Sequence, residues 1–254
     1  MSMVAGRHIL VTGASSGIGL ATARLLASRG ATVSLIARRQ AVLEEAVAGI
    51  RDAGGTAMCR AADVSDRTAM LAAIDQAEAA QGPIDGLFAN AGTGGSFAPF
   101  TAYDDDVFEA VLRTNLTAPF WAMKRVLTGM IERKRGAILV TGSLASERGM
   151  GHNPAYVASK HGLLGLARAA AVEAAPHNVR VNCIIPGFIE TPMLDQLGDG
   201  ALQAMRNRTP QGRVGTAEEM AEVAVFLLSD AASHVTAQSW AVDGGILNTI
   251  SVGD

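Results

Sequence analysis

Apolar residues fall along this chain in short unbroken runs, separated by longer stretches with helical spacing. Ile9–Thr12, Thr32–Ala37, Thr56–Ala61, Gly86–Ala89, Ala137–Thr141, Arg180–Ile185 and Gln238–Val242 read as strands. Most are continuous rather than alternating, the pattern of parallel strands buried on both faces. Between them Gly17–Arg29, Ala41–Ala53, Arg67–Gln81, Asp104–Arg133, Pro154–Ala175 and Ala217–Ser229 read as helices. This alternation predicts an α/β fold: a doubly wound, Rossmann-like parallel sheet of about seven strands with helices on both faces. Right-handed crossovers then gather the loops after the strands' carboxyl ends along one edge, where ligands bind. One stretch breaks the rhythm. Phe188–Gln211 has no strong period, and a long loop at a ligand edge is usually functional.

Composition narrows the class. The 254 residues carry no Pro/Ser-rich linker, charge block or low-complexity stretch, so a single domain over 1–254 is expected. A net charge of −3 argues against a nucleic-acid partner. No apolar run reaches bilayer-spanning length and no signal peptide precedes Met3-Val4, so no membrane association is expected. Cys59 and Cys183 fall in strand-like runs and read as reduced core residues of a cytoplasmic protein. The five histidines lack metal-ligand spacing, and no metal is expected.

The candidate chemistry lies in two places. The first strand runs into Gly13-Ala14-Ser15-Ser16-Gly17-Ile18-Gly19 and then a helix. A glycine-rich strand-to-helix turn lets backbone approach a phosphate, and the helix N-terminus adds free N–H groups. Further on, Tyr156 and Lys160 stand four residues apart behind Pro154, so a helix puts phenol and ammonium on one face. A free phenol, with pKa near ~10, is a poor acid–base catalyst at neutral pH, and a fixed cation beside it favours the phenolate. Ser143, after the fifth strand, offers a hydroxyl to a substrate oxygen. Asn115 sits inside a long predicted helix with Pro119 four residues on; proline has no N–H, so the Asn115 carbonyl is left free at a kink.

These residues resemble the short-chain dehydrogenase/reductase family, from Val4 to about Asn248. Thr12-Gly13-x-x-x-Gly17-Ile18-Gly19 matches its cofactor turn. Asp63-Val64, Asn90-Ala91-Gly92, Asn115, Ser143, Tyr156, Lys160, Pro186-Gly187-x-x-x-Thr191 and Val242-Asp243-Gly244-Gly245 match its other motifs in order. The resemblance implies that Tyr156 is the general acid–base, that Lys160 assists it and binds the nicotinamide ribose, that Ser143 orients the substrate oxygen, and that the Asn115 carbonyl holds a water in a proton relay. It implies a cofactor held by Gly13, Ser15, Ser16, Gly17, Ile18 and Gly19. Asp63 and Val64 would take the adenine, Asn90, Ala91 and Gly92 would line the cleft, and Pro186, Gly187, Ile189 and Thr191 would hold the carboxamide. It also makes about 188–211 the substrate lid.

Cofactor choice is read at the end of the second strand. NAD enzymes usually place an acidic side chain there. This strand ends in Ala37 followed by Arg38 and Arg39, and guanidinium groups suit a phosphate, so NADP(H) is expected, with NAD(H) the alternative. Ser15-Ser16 stands where some NADP members carry a basic residue. Candidate substrate positions are Thr93 to Phe97, Ser143, Leu144, Ala145, Met150, His152, Asn153, Tyr156, Phe188, Met193, Leu194 and Leu197, mostly apolar, which predicts a small apolar ketone or secondary alcohol. Carrier-protein reductases of the family tend to have a basic residue where Val172 stands, which argues against a carrier-protein substrate. Small residues through Leu163–Ala171 and an apolar C-terminal segment predict a homotetramer, with a dimer the alternative. The competing functions are a non-catalytic dinucleotide-binding regulator and a non-redox lyase or epimerase on the same fold.

Overall fold

The computed structural model describes residues 4–192 and 199–249. Seven parallel strands form one sheet in the order β3-β2-β1-β4-β5-β6-β7. They are β1 (His8–Thr12), β2 (Thr32–Ala37), β3 (Thr56–Ala61), β4 (Gly86–Ala89), β5 (Gly136–Thr141), β6 (Val179–Pro186) and β7 (Ser239–Val242). The helices between them are α1 (Gly17–Ser28), α2 (Gln40–Asp52), α3 (Arg67–Gln81), α4 (Asp105–Leu112), α5 (Ala118–Arg133), α6 (Pro154–Ala174), α7 (Asp199–Arg208) and α8 (Ala217–Leu228).

Alternate strand residues feed two cores. Leu10, with Leu87 and Ile138, packs against Met70 and Ile74 of α3, Met123 and Val126 of α5, and Leu163 and Leu164 of α6. Ile9 and Val11, with Phe88 and Leu139, pack against Ala23 and Leu26 of α1, Leu43 and Val47 of α2, and Met220 and Val225 of α8. Period-2 side-chain direction in a strand requires this division, and burial on both faces explains the unbroken apolar runs. The winding reverses between β1 and β4, which are neighbours although β2 and β3 intervene in sequence. That switch point opens a crevice at the carboxyl edge, flanked by the Gly13–Gly19 turn and by Asn90–Gly92.

Helix starts follow local side chains. Asp66 caps α3 by accepting from Ala69 N (3.0 Å), Asp104 caps α4 by accepting from Val107 N (2.9 Å), and Thr216 with Glu219 forms a capping box on α8.

Three expectations need correction. The single helix over Asp104–Arg133 is α4 and α5 joined by a π-helical turn, Arg113–Thr117, in which Ala118 N donates to Arg113 O. Pro119 lacks the N–H that would continue the α ladder, so the turn widens instead of merely kinking. The stretch read as lacking a period contains α7. Cys59 is only partly buried, because β3 is an edge strand, whereas Cys183 on β6 is buried and burial pushes its thiol up to about 11. Both thiols are free.

Two glycines separate backbone need from mere tolerance. A Cβ on Gly19 would lie 2.5 Å from Gly13 O and 2.7 Å from Asn90 Nδ2, whereas one on Gly49 in α2 meets nothing within 4 Å. Gly49→Ala is expected to stabilise by about 0.5–1 kcal/mol. Gly19→Ala is expected to destabilise by roughly 1–3 kcal/mol, the range for overpacking a tight site. Urea unfolding midpoints at constant slope measure both.

Candidate active site

The site is assembled from the carboxyl ends of β1, β4, β5 and β6. Thr12, the last residue of β1, turns its Oγ1 to accept from the backbone N–H groups of Asn90 (3.1 Å) and Ala91 (3.2 Å). Asn90 returns its Nδ2 to Thr12 O (3.3 Å) and Gly13 O (3.4 Å), and its Oδ1 accepts from Thr141 Oγ1 (3.1 Å). One amide thus ties three strand ends together. Gly13 has φ +66° and its missing Cβ would sit 2.8 Å from Ala91 Cα, so the two loops meet backbone to backbone.

The glycine turn presents the start of α1. Ser16 stands at its N-cap position with extended backbone and no side-chain cap bond, and the first turn of α1 holds no acidic residue. Ser15, Ser16, Gly17 and Ile18 are half-buried. Gly17 has φ +52°, and a Cβ there would lie 3.1 Å from Thr191 Cγ2. The segment after β6 therefore comes down against the turn. Its base is held by Gly187 N donating to Val242 O (3.1 Å), by Gly215 N donating to Phe188 O (2.8 Å) and by Glu190 N donating to Gly215 O (2.9 Å). Ile189 is buried beside Gly215, Pro186 and Phe188 are half-buried, and a Cβ on Gly187 would strike Asp243 Cα at 2.6 Å.

At the outer end of the crevice Arg38 and Arg39 are exposed, and neither makes an ion pair among the described residues. Glu44 instead accepts from Gln40 (2.6 Å). Asp63 accepts from Ser65 Oγ (2.7 Å) and Ser65 N (2.9 Å); those bonds, with Arg38 nearby, hold its carboxyl below the usual range. Val64 is buried against Met70 and Ala89.

The second half of the site is built on α6. Asn153 caps that helix by accepting from Tyr156 N (3.2 Å), and Pro154 stands at its first position. The Lys160 side chain is buried, donates to Thr141 O (2.7 Å), and brings its Nζ to 5.6 Å from the centre of the Tyr156 ring. Lys160 makes no ion pair among the described residues. Ser143 follows β5 and starts the short 3-10 turn Leu144–Ser146. Its Oγ accepts from Ala145 N (3.2 Å), which leaves the hydroxyl hydrogen to donate elsewhere.

Asn115 lies in the π-helical turn and is buried. Its side chain takes both backbone groups of Thr93, accepting from N (2.8 Å) and donating to O (2.9 Å), and also donates to Ser159 Oγ (3.2 Å). A Cβ on Gly92 would lie 3.2 Å from Asn115 Oδ1 and 3.7 Å from Lys160 Nζ. Asn115, Gly92 and Lys160 are thus brought together.

Of the candidate substrate positions, Leu144 is half-buried, Ala145 is buried and Met150 is exposed. The Asn153 amide is engaged at both ends: besides Tyr156 N it accepts from Tyr103 OH (3.3 Å) and donates to Gly94 O (2.6 Å). Those partners belong to the chain itself, and the side chain is buried. Met193, Leu194 and Leu197 lie outside the described residues. Sequence reading gave no bonding role to Thr12, although it opens the glycine motif, nor to Thr141, Ser159 and Tyr103. The first two carried a usable signal, a threonine closing a strand at the ligand edge; the last two acquire partners only through folding. Among the described residues no helix is long and apolar enough to cross a membrane, and no group of three metal-binding side chains occurs.

Known proteins resemble the chain in sequence and in fold. A family model described as enoyl-(acyl carrier protein) reductase matches residues 13–247. The chain is 39% identical over 241 residues to cis-4-hydroxycyclohexanecarboxylate dehydrogenase of Sinomonas cyclohexanicum, covering 95% of this chain and 96% of that one. It is 37% identical over 249 residues to levodione reductase of Leifsonia aquatica, covering 94% and 93%. A crystal structure of levodione reductase superposes with a TM-score of 0.94 at 35% identity, covering 97% of this chain and 99% of that one. An actinorhodin polyketide ketoreductase variant with NADPH superposes with a TM-score of 0.90 at 35% identity, covering 96% and 98%. With the sheet order, the glycine turn and the Tyr156–Lys160 pair in place, this chain belongs to the short-chain dehydrogenase/reductase family of oxidoreductases.

Proposed function

We propose that the chain is an NADP(H)-dependent oxidoreductase that interconverts an apolar ketone and a secondary alcohol, with Tyr156 as general acid–base. The observation that carries this reading is the Lys160 ammonium, 5% exposed and without a carboxylate partner among the described residues. A buried cation held by one carbonyl has donors to spare and seeks negative or hydroxyl partners. The Tyr156 phenol and a ribose diol are such partners at the mouth of the crevice. A regulator has no use for so costly a group.

The residues present suit a dinucleotide. The Gly13–Gly19 turn forms a cradle that added Cβ atoms would fill, Ser16 makes no side-chain cap bond, and Arg38 and Arg39 have no ion-pair partner among the described residues. Gly13 to Gly19 would hold the pyrophosphate, Asp63 and Val64 the adenine, Asn90 to Gly92 and Lys160 the nicotinamide ribose, and Ile189 and Thr191 the carboxamide. When bound, the nicotinamide supplies hydride to the substrate carbon or takes it away. Tyr156 gives a proton to the carbonyl oxygen in reduction and removes it in oxidation. Ser143, its hydrogen free, donates to the same oxygen. The Asn115 carbonyl, with no N–H at Pro119 to take, holds a water that reconnects Lys160 with solvent.

Named relatives act on cyclic alcohols or ketones, which supports a cyclic substrate. Exposed Phe120 on α5 and Val172 on α6 support pairing of these helices in a homotetramer, and the free thiols fit a cytoplasmic protein.

Tyr156→Phe is expected to cut turnover by about 10²–10⁴-fold with NADPH affinity nearly intact, because only proton transfer is lost. Activity within a few-fold of the parent would sink the role. Lys160→Met should lower turnover and weaken NADPH together.

Arg38→Ala is expected to weaken NADPH by about one to two decades and leave NADH nearly unchanged. Ala37→Asp should go further and favour NADH. The ratio of kcat/KM with the two cofactors, at low and high salt, decides it. A parent preference for NADH overturns the NADP assignment.

A further inference from the structure

The segment after β4, from Thr93 to Ala102, has little regular structure, yet it is pinned to α6 and its neighbours at several points. Asn115 holds both backbone groups of Thr93. Asn153 Nδ2 donates to Gly94 O at 2.6 Å. His152, held at φ +64° just before the cap, turns its carbonyl to accept from Ala98 N at 2.9 Å. Tyr103 OH donates to the same Asn153 Oδ1 that accepts from Tyr156 N. A Cβ on Gly95 would lie 3.0 Å from that Tyr103 hydroxyl, so the segment's backbone is seated against it.

Asn153 is only 1% exposed, and capping a helix does not need what it supplies. A cap requires one acceptor, which serine offers equally well. The amide adds a donor, and that donor goes to the segment. Between the pinned points the segment carries Phe97 and Phe100, 71% and 80% exposed. Both stand on the stretch that Asn153 and His152 tie to the start of the Tyr156 helix, and apolar side chains left in water gain by an apolar contact. We propose that Asn153 is a positioning residue: its amide clips the 93–102 segment to the first turn of α6 and so holds the apolar wall of Phe97 and Phe100 in register with Tyr156, selecting bulky apolar ketones. This rests on the reading of Tyr156 as the acid–base.

The test compares Asn153→Ser, which keeps the cap and loses the clip, with Tyr103→Phe, which removes one hydroxyl and keeps the ring. Both are measured for thermal midpoint, NADPH affinity, kcat and KM across ketones of increasing bulk, and hydrogen exchange at Ala98. The expected result is a KM for bulky cyclic ketones raised about fivefold, the loss of a hydrogen bond's net worth, with a smaller change for small ketones. NADPH affinity and thermal midpoint should stay near the parent's, exchange at Ala98 should quicken, and the double variant should add little to Asn153→Ser. Equal losses on all ketones, a fall in kcat at unchanged KM, or parent-like exchange at Ala98 would overturn the proposal. Exchange is read without substrate, so it judges the clip even where the reading of Tyr156 fails.

Discussion

A buried ammonium organises the carboxyl edge of this sheet. Lys160 reaches from the first turns of α6 to the carbonyl of Thr141, at the end of β5. Taking such a charge out of water costs several kcal/mol, so its surroundings must be polar and fixed. They are. Thr141 also donates to Asn90, Asn90 donates to Thr12 and Gly13 carbonyls, and Thr12 accepts from Asn90 and Ala91. A continuous chain of hydrogen bonds thus runs from the lysine to the glycine turn, across three neighbouring strand ends. Displacing any member misplaces the charge or leaves a buried polar group unpaired.

The helical break at Arg113–Thr117 answers the same constraint from the other side. Widening the helix at Pro119 brings Asn115 inward, where its amide seizes Thr93 and touches Ser159 of α6. π-Helical turns are rare and gather at functional sites. Here the turn does two things at once. It anchors the loop after β4 against α6, and it leaves the Asn115 carbonyl without the helical partner that proline cannot provide. Both halves of the crevice are therefore held by side-chain amides, Asn90 on the cofactor side and Asn115 with Asn153 on the α6 side. An amide puts its donor and its acceptor on separate atoms, so one side chain can take the N–H and the C=O of a neighbouring backbone at once, as Asn115 does with Thr93.

What the chain alone determined is large, and the reason is periodicity. Buried parallel strands must be apolar throughout, so Ile9–Thr12 or Arg180–Ile185 stand out without a fold in hand, and the turn at Gly13–Gly19 announces itself by residues that only a close backbone approach requires. Proline at 119 marked a defect in a helix for a covalent reason, although its resolution into a π-turn depended on what the freed turn could reach. Local spacing also placed Tyr156 and Lys160 on one helix face. Tertiary structure decided the rest. Nothing in the string says that Thr12 and Thr141 share Asn90, that Tyr103 reaches Asn153 across fifty residues, or that Asp66 rather than Asp63 caps α3. Those partners are remote in sequence or equivalent in chemistry, and only the packing of two cores on one twisted sheet selects among them.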